Sequence, residues 1–121
     1  MEGDKRCLSA LTIGGSDSSR GAVIQADLKT FQGISVHGTS VITCVTAQNS
    51  LGVTHVEPLS CDSVGQQIVA VLSDLVIPAL KTVMLYSSEI VEAVANALGS
   101  LSIFIVVDPV MVSQARLKLS F

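Results

Sequence analysis

The apolar residues of the chain form short continuous runs separated by segments of helical periodicity. Runs that are continuously apolar or rich in β-branched residues predict buried strands at 8–13, 39–46, 79–85 and 102–107. A shorter extended piece is predicted at 53–56, before Pro58. Gly14 and Gly15 follow the first run directly, so we expect them to end the first strand and form a tight turn.

Between these strands, three segments carry apolar residues at helical spacing. Positions 24, 28 and 31 follow the i, i+4, i+7 pattern, and we expect this helix to stop at Gly33. A second helix is predicted from about residue 62 to residue 75, with Asp62 or Ser63 capping its first amides. A third is predicted to begin near Ser87 and to end at Gly99.

The order β, α, β, (β), α, β, α, β predicts an α/β fold. Strands that are continuously apolar are typical of a mostly parallel sheet covered by helices on both faces. About four main strands are few against the roughly five or six of a typical sheet. Fourteen residues follow the last predicted strand. We therefore expect a sheet that is truncated after about the first half of a domain.

Composition and charge narrow the classes of function. With 121 residues a single domain is expected, and 49% hydrophobic against 14% charged residues excludes a disordered chain. No apolar run approaches the roughly 20 residues of a membrane span. The net charge is −3 and the basic residues are scattered, which disfavours a nucleic-acid partner. Small molecules or proteins are the expected partners.

Cysteines, histidines and the first residues indicate an ordinary reduced environment. Cys7, Cys44 and Cys61 are odd in number and not closely paired, which favours buried reduced thiols over a disulfide framework or a zinc site. His37 and His55 are expected at the surface or in turns. The first residues lack a signal or transit pattern, so a cytoplasmic location is expected.

Candidate chemistry follows the strands, because ligands in such sheets bind beyond the strand carboxyl ends. Gly14-Gly15-Ser16-Asp17 offers backbone N–H groups to a polar ligand, although a plain βα turn is favoured on the pattern alone. Asp27 is either satisfied by neighbours or faces a pocket, and Gln48 either recognises a heteroaromatic edge or is an ordinary turn amide. Asp108 either helps to bind Mg²⁺ and phosphate or caps a helix.

Several segments together resemble the hydroxymethylpyrimidine/phosphomethylpyrimidine kinases of thiamine biosynthesis, including the kinase part of the plant-type enzyme fused to thiamine-phosphate synthase. This family has a ribokinase-like three-layer fold. We accordingly divide the chain into an N-terminal extension (1–7), the N-terminal half of a kinase domain (8–113) and a C-terminal tail (114–121) that departs from the family. The segments are Leu11-Thr-Ile-Gly-Gly-Ser-Asp17, Ile24-Gln-Ala-Asp-Leu-Lys-Thr-Phe31, Gly38-Thr-Ser-Val-Ile-Thr43, Val45-Thr-Ala-Gln-Asn49, Leu72-Ser-Asp74, Met84-Leu85 and Val107-Asp-Pro-Val-Met-Val-Ser113.

The resemblance implies a reaction and a set of site residues. The family transfers phosphate from ATP to 4-amino-5-hydroxymethyl-2-methylpyrimidine and then to its monophosphate. It implies that Gly15, Asp27, Gln48 and Met84 bind the aminopyrimidine and that Asp108 lies near the transferred phosphate and Mg²⁺. The family's anion hole, catalytic residue and most of its ATP site lie in the C-terminal half. No catalytic residue is therefore expected in this chain.

The chain also departs from the family locally. Ser18-Ser19-Arg20 replace part of a glycine run before Gly21, and Val23 and Val83 stand where glycine is usual. Two hypotheses follow. The chain is the substrate half of the kinase, inactive alone but able to bind the pyrimidine, or it is a non-catalytic product. The latter is either a module that pairs with an intact subunit or with itself, or a remnant without a stable fold.

Overall fold

The computed structural model describes residues 8–19, 21–99 and 101–108. Every predicted strand and helix is present, in the predicted order, so the α/β class is confirmed. The N-terminal extension, Arg20 and the tail lie outside the described residues. The elements are β1 (Ser9–Asp17), α1 (Val23–Gly33), β2 (His37–Asn49), β3 (Gly52–Pro58), α2 (Cys61–Leu72), β4 (Ala79–Val83), α3 (Ser88–Leu98) and β5 (Phe104–Asp108).

The described strands form one sheet in the order β3-β2-β1-β4-β5. Strands β2, β1, β4 and β5 are mutually parallel, and β3 pairs with β2 in the antiparallel sense as a hairpin. Helical crossovers connect the parallel strands, as parallel pairing requires. The carboxyl ends of the four parallel strands therefore meet at one edge of the sheet.

Helices cover the two faces of the sheet unequally. Leu11 and Ile13 of β1 are fully buried in the main core, which is completed by residues of α2 and α3. The helix α1 lies on the opposite face, where the Thr12 side chain bonds to it. On this face Gly38 allows close packing, since a Cβ there would lie 2.8 Å from a Leu28 methyl group. The three layers predicted from the family resemblance are present.

The glycine pair after the first apolar run does not form a turn, so this prediction was wrong. Strand β1 continues through Gly14 and Gly15 to Asp17. A Cβ on Gly14 would lie 2.0 Å from the carbonyl oxygen of Val83, so glycine is required by the close approach of β4. The register against β2 shifts between Gly14 and Gly15, which marks a bulge inside the strand.

Helix ends differ in detail from the predicted ones. Gly33 is the last residue of α1, and the residue with a left-handed backbone is Ser35, with φ of 63°. The cap of α2 is Ser60, whose hydroxyl accepts the Ser63 N–H at 3.0 Å, because α2 begins one residue before Asp62. Helix α3 begins after Ser87 and ends at Gly99 as predicted.

The most apolar strand, β5, is exposed along its whole length, contrary to the predicted burial. It forms one edge of the sheet, and Phe104 and Val107 are 82% and 66% exposed. An apolar run identifies a strand, but its burial depends on which elements lie beside it.

The burial of the cysteines and the location of the histidines agree in part with the predictions. Cys44 is buried and Cys61 is exposed at the start of α2, so the prediction of buried thiols holds for Cys44 and fails for Cys61. Cys7 lies outside the described residues. His37 and His55 are exposed as expected, but both lie in strands, and His55 Nε2 is 2.8 Å from Glu57 Oε1. No helix in the described ranges is long and apolar enough to cross a membrane.

Candidate functional site

Gly15 and Met84 are brought together at the carboxyl edge of the sheet. Met84 follows the last residue of β4 with a φ of 56°, which turns the chain out of the strand. Its carbonyl accepts a hydrogen bond of 2.9 Å from the Thr43 hydroxyl. A Cβ on Gly15 would lie 2.9 Å from Met84 Sδ and 3.0 Å from Cys44 Sγ. A side chain at position 15 would therefore displace the sulfur atoms that pack against β1.

Cys44 contributes a neutral thiol to this cluster. The residue is fully buried, and burial raises the pKa of the Cys44 thiol, although a hydrogen bond with Thr43 acts in the opposite direction. The protonated thiol is a weak nucleophile. Cys44 therefore acts as an apolar wall beside Met84, and sequence reasoning missed it because only its number and spacing were considered.

Gln48 lies in β2 and not in a turn, because β2 extends to Asn49 before the hairpin. Its backbone N–H donates to Ser18 Oγ at 2.7 Å, and its carbonyl accepts from the same hydroxyl at 2.5 Å. Its side-chain Oε1 lies 3.1 Å from Thr46 Oγ1, which is also 2.8 Å from the carbonyl oxygen of Ser16. The Ser18 hydroxyl thus holds the backbone of Gln48, and the amide oxygen lies beside the Thr46 hydroxyl, whose single proton is shared with the Ser16 carbonyl.

A buried carboxylate organises the loop after β1. Asp17 is 1% exposed, and its oxygens accept from the Ser19 N–H at 2.9 Å, the Ser19 hydroxyl at 2.7 Å and the Gly21 N–H at 3.1 Å. Gln25 of α1 secures the same strand end, since its Oε1 accepts from the Asp17 N–H at 2.8 Å. An Asp that begins a Ser- and Gly-rich loop is the available sequence signal for this turn.

The serines that replace family glycines turn back onto the protein. The Ser19 hydroxyl bonds to Asp17 and that of Ser18 to Gln48. Val23, the other departure in this loop, has a φ of 48°, a backbone region that β-branched residues rarely adopt. Position 23 therefore has a backbone conformation that glycine adopts freely but that is occupied here by valine.

Asp27 is satisfied by neighbours. Its Oδ2 accepts from the Thr12 hydroxyl at 2.7 Å and its Oδ1 forms an ion pair with Lys81 Nζ at 2.8 Å. The Asp27 side chain is 12% exposed and that of Lys81 30%. Lys81 also lies 3.7 Å from Asp108 Oδ2. The segment from Lys81 to Met84 is a candidate region in the sequence, but the sequence assigned no role to the Lys81 ammonium group.

The five residues predicted from the sequence therefore fall into three groups. Gly15 packs beneath Met84, Gln48 is bound to the loop after β1, and Asp27 is linked to Asp108 through Lys81. The first two groups lie at the carboxyl ends of strands, and the third joins α1 to the middle of β4 and the end of β5. Their roles toward a ligand stay predictions.

Comparison with known proteins assigns the family. The family model described as phosphomethylpyrimidine kinase matches residues 17–120. The chain belongs to this family. It is 58% identical over 105 residues to the hydroxymethylpyrimidine/phosphomethylpyrimidine kinase of Synechococcus elongatus, covering 87% of this chain and 40% of that protein. It is 46% identical over 115 residues to the thiamine biosynthetic bifunctional enzyme of Arabidopsis thaliana, covering 94% of this chain and 22% of that protein.

Solved structures confirm the ribokinase-like fold. The phosphomethylpyrimidine kinase of Clostridium difficile superposes with a TM-score of 0.86 at 46% identity, covering 94% of this chain and 50% of that one. An ADP complex of Bacillus subtilis pyridoxal kinase superposes with a TM-score of 0.80 at 39% identity, covering 88% of this chain and 41% of that one. The chain spans about two-fifths of the Synechococcus phosphomethylpyrimidine kinase.

The described part of the chain supplies few ligands for a metal ion. Within it, no three His, Cys, Asp or Glu side chains come together. Mg²⁺ commonly takes one or two carboxylates together with water and phosphate oxygens. Asp108 fits the role of one such carboxylate, since it is 51% exposed and only one cation, Lys81, is paired with it among the described residues.

Proposed function

We propose that the chain forms the pyrimidine-binding half of a kinase that uses ATP to phosphorylate 4-amino-5-hydroxymethyl-2-methylpyrimidine and its monophosphate in thiamine biosynthesis. The observation that carries this proposal is the fixed position of Gln48 at the carboxyl edge, bound by Ser18 and Thr46. Relatives that share most of this chain carry the name of this kinase. A cytoplasmic location stays a prediction.

Each predicted residue has a task in this proposal. The Gln48 amide presents a donor and an acceptor to the nitrogen-bearing edge of the ring. Met84 lines the pocket with a flexible thioether, and Gly15 allows it to lie against β1. Each Asp27 oxygen has a second lone pair, so Asp27 can accept a hydrogen bond from the ligand while bound to Thr12 and Lys81.

The phosphoryl-transfer step needs more than these residues. Such transfer depends on positioning and on stabilising charge spread over the phosphoryl oxygens. Mg²⁺, when bound with ATP, neutralises part of that charge, and Asp108 would hold it. No general base or anion hole is assigned to any described residue. We therefore expect this chain to bind the pyrimidine alone and to turn it over only with a complementary half.

Calorimetric titration of the purified chain with hydroxymethylpyrimidine tests the binding. We expect measurable affinity in the unmodified chain and a loss of about tenfold or more in Gln48→Ala, since a paired polar contact contributes about 1–3 kcal/mol. Gln32→Ala, an exposed glutamine on α1, is the matched control and should bind as the unmodified chain does. Equal affinity in all three proteins would overturn the proposal.

The exposed strand β5 favours a second candidate, a module that pairs with another polypeptide. An edge strand with apolar side chains exposed on both faces is a ready template for association. Mixing the chain with a separately produced C-terminal half of a family member and measuring ATP-dependent phosphorylation separates the candidates. Activity supports a split kinase, whereas binding of the half without phosphorylation supports a non-catalytic module.

A further inference from the structure

We propose that Ser18 is a positioning residue that fixes the direction in which the Gln48 amide meets the aminopyrimidine. This inference rests on the proposed pyrimidine site. Ser18 Oγ donates to the Gln48 carbonyl at 2.5 Å and accepts from the Gln48 N–H at 2.7 Å. One hydroxyl thus satisfies the donor and the acceptor of the same backbone residue, thirty positions away in sequence.

Ser18 acts on the side of Gln48 where β1 no longer pairs with β2, whereas Val53 of β3 pairs with Gln48 on the other side. The last pair between β1 and β2 is Asp17 with Thr46, two residues before Gln48. On the other side, the pairing of β2 with β3 is irregular between Ala47 and Gln48. Gln48 therefore lies between the end of one ladder and an irregularity in the other. The Ser18 hydroxyl takes the place of the missing ladder partner.

The serine is itself held firmly on both sides. Asp17, which precedes it, is buried and has its N–H bound by Gln25 at 2.8 Å. Ser19, which follows it, donates its N–H and its hydroxyl to the Asp17 carboxylate. The Ser18 hydroxyl is therefore presented by a rigid loop, and its own exposure allows water to replace it in a variant.

Because Ser18 is exposed, its effect on the position of Gln48 can be separated from its effect on the stability of the fold. Water can satisfy the Gln48 backbone groups when Ser18 is replaced, so little folding free energy is lost. Water does not restrain the position of the strand, however, and a two-point contact to a ring edge tolerates only about 0.5 Å of misplacement. The effect of losing Ser18 should thus appear in ligand discrimination rather than in the thermal midpoint.

The first measurement needs no ligand. We expect Ser18→Ala to speed hydrogen exchange of the Gln48 N–H, followed by NMR, by about tenfold or more, because that amide loses its acceptor. Ser18→Thr retains the hydroxyl and should exchange as the unmodified chain does. Ser73→Ala, an exposed serine whose hydroxyl bonds to the Ala70 carbonyl at the end of α2, is the control and should leave the Gln48 amide protected. An unchanged Gln48 exchange rate in Ser18→Ala would overturn the proposal.

The second measurement uses two ligands: hydroxymethylpyrimidine and its analogue without the 4-amino group. Ser18→Ala should lose about tenfold in affinity for the amino compound and much less for the analogue, because only the former engages both atoms of the amide. Equal losses for both ligands indicate a merely structural role and overturn the inference. If the unmodified chain binds neither ligand, the proposed function fails and Ser18 positions nothing for it. Hydrogen exchange of the Gln48 N–H then reports only on the hydrogen bond between Ser18 and Gln48.

Discussion

At the scale of single residues, Val23 places a β-branched side chain on a left-handed backbone. Its φ is 48°, and a conformation of this kind costs about 1–2 kcal/mol for an L-residue. Glycine adopts it freely but adds entropy to the unfolded chain. Val23 also packs against the cluster of Cys44, Val83 and Met84. Glycine loses this contact while relieving the backbone, so we expect Val23→Gly to change the free energy of unfolding by less than about 0.5 kcal/mol in urea denaturation. Val91→Gly, in the middle of α3, should instead lower the free energy of unfolding by about 1 kcal/mol. An equal loss of stability in the two variants would contradict the prediction.

The buried thiol of Cys44 gives a pH dependence at the same scale. Burial raises its pKa, so the folded chain retains this proton to higher pH than the unfolded chain. The unfolded state then binds fewer protons, and the free energy of unfolding falls as pH rises above the ordinary thiol pKa of about 8.5. We expect a smaller decline between pH 8 and 10 in Cys44→Ala, measured by urea denaturation. Cys61→Ala should decline as the unmodified chain does, and identical profiles for all three would refute the prediction.

At the scale of elements, Lys81 joins α1, β4 and β5 through Asp27 and Asp108. Lys81→Met leaves the mostly buried Asp27 carboxylate without its cation, which should cost about 1–3 kcal/mol, between the values for exposed and buried pairs. In a double-mutant cycle, Asp27→Asn combined with Lys81→Met should cost less than the sum of the single changes. Lys29→Met, exposed on α1, should change stability by less than about 0.5 kcal/mol. Additive costs would show that the ion pair stabilises nothing.

The strands and helices also show how much of the fold could be predicted from the sequence. Apolar runs and hydrophobic periodicity located every strand and helix of the described residues, and all of these elements except β3 and β5 contain buried residues. These patterns failed at Gly14 and Gly15, because Gly14 lies in close contact with Val83 of β4 and Gly15 with Met84 and Cys44, residues that are distant in the sequence. The family resemblance pointed to Gln48 but not to the Ser18 and Thr46 hydroxyls beside it, because those contacts arise only when the strand ends meet.

At the scale of the whole molecule, the exposed edge strand β5 governs how the chain associates. Its side chains are exposed on both faces, and the adjacent Leu101 is 53% exposed. A surface of this kind favours pairing with another chain. We expect concentration-dependent self-association in sedimentation velocity, reduced by Phe104→Lys, which places a charge on the edge. Leu51→Lys, at a 93% exposed residue of the hairpin turn, should leave it unchanged. A concentration-independent monomer, or equal effects of both lysines, would show that β5 is not the associating surface.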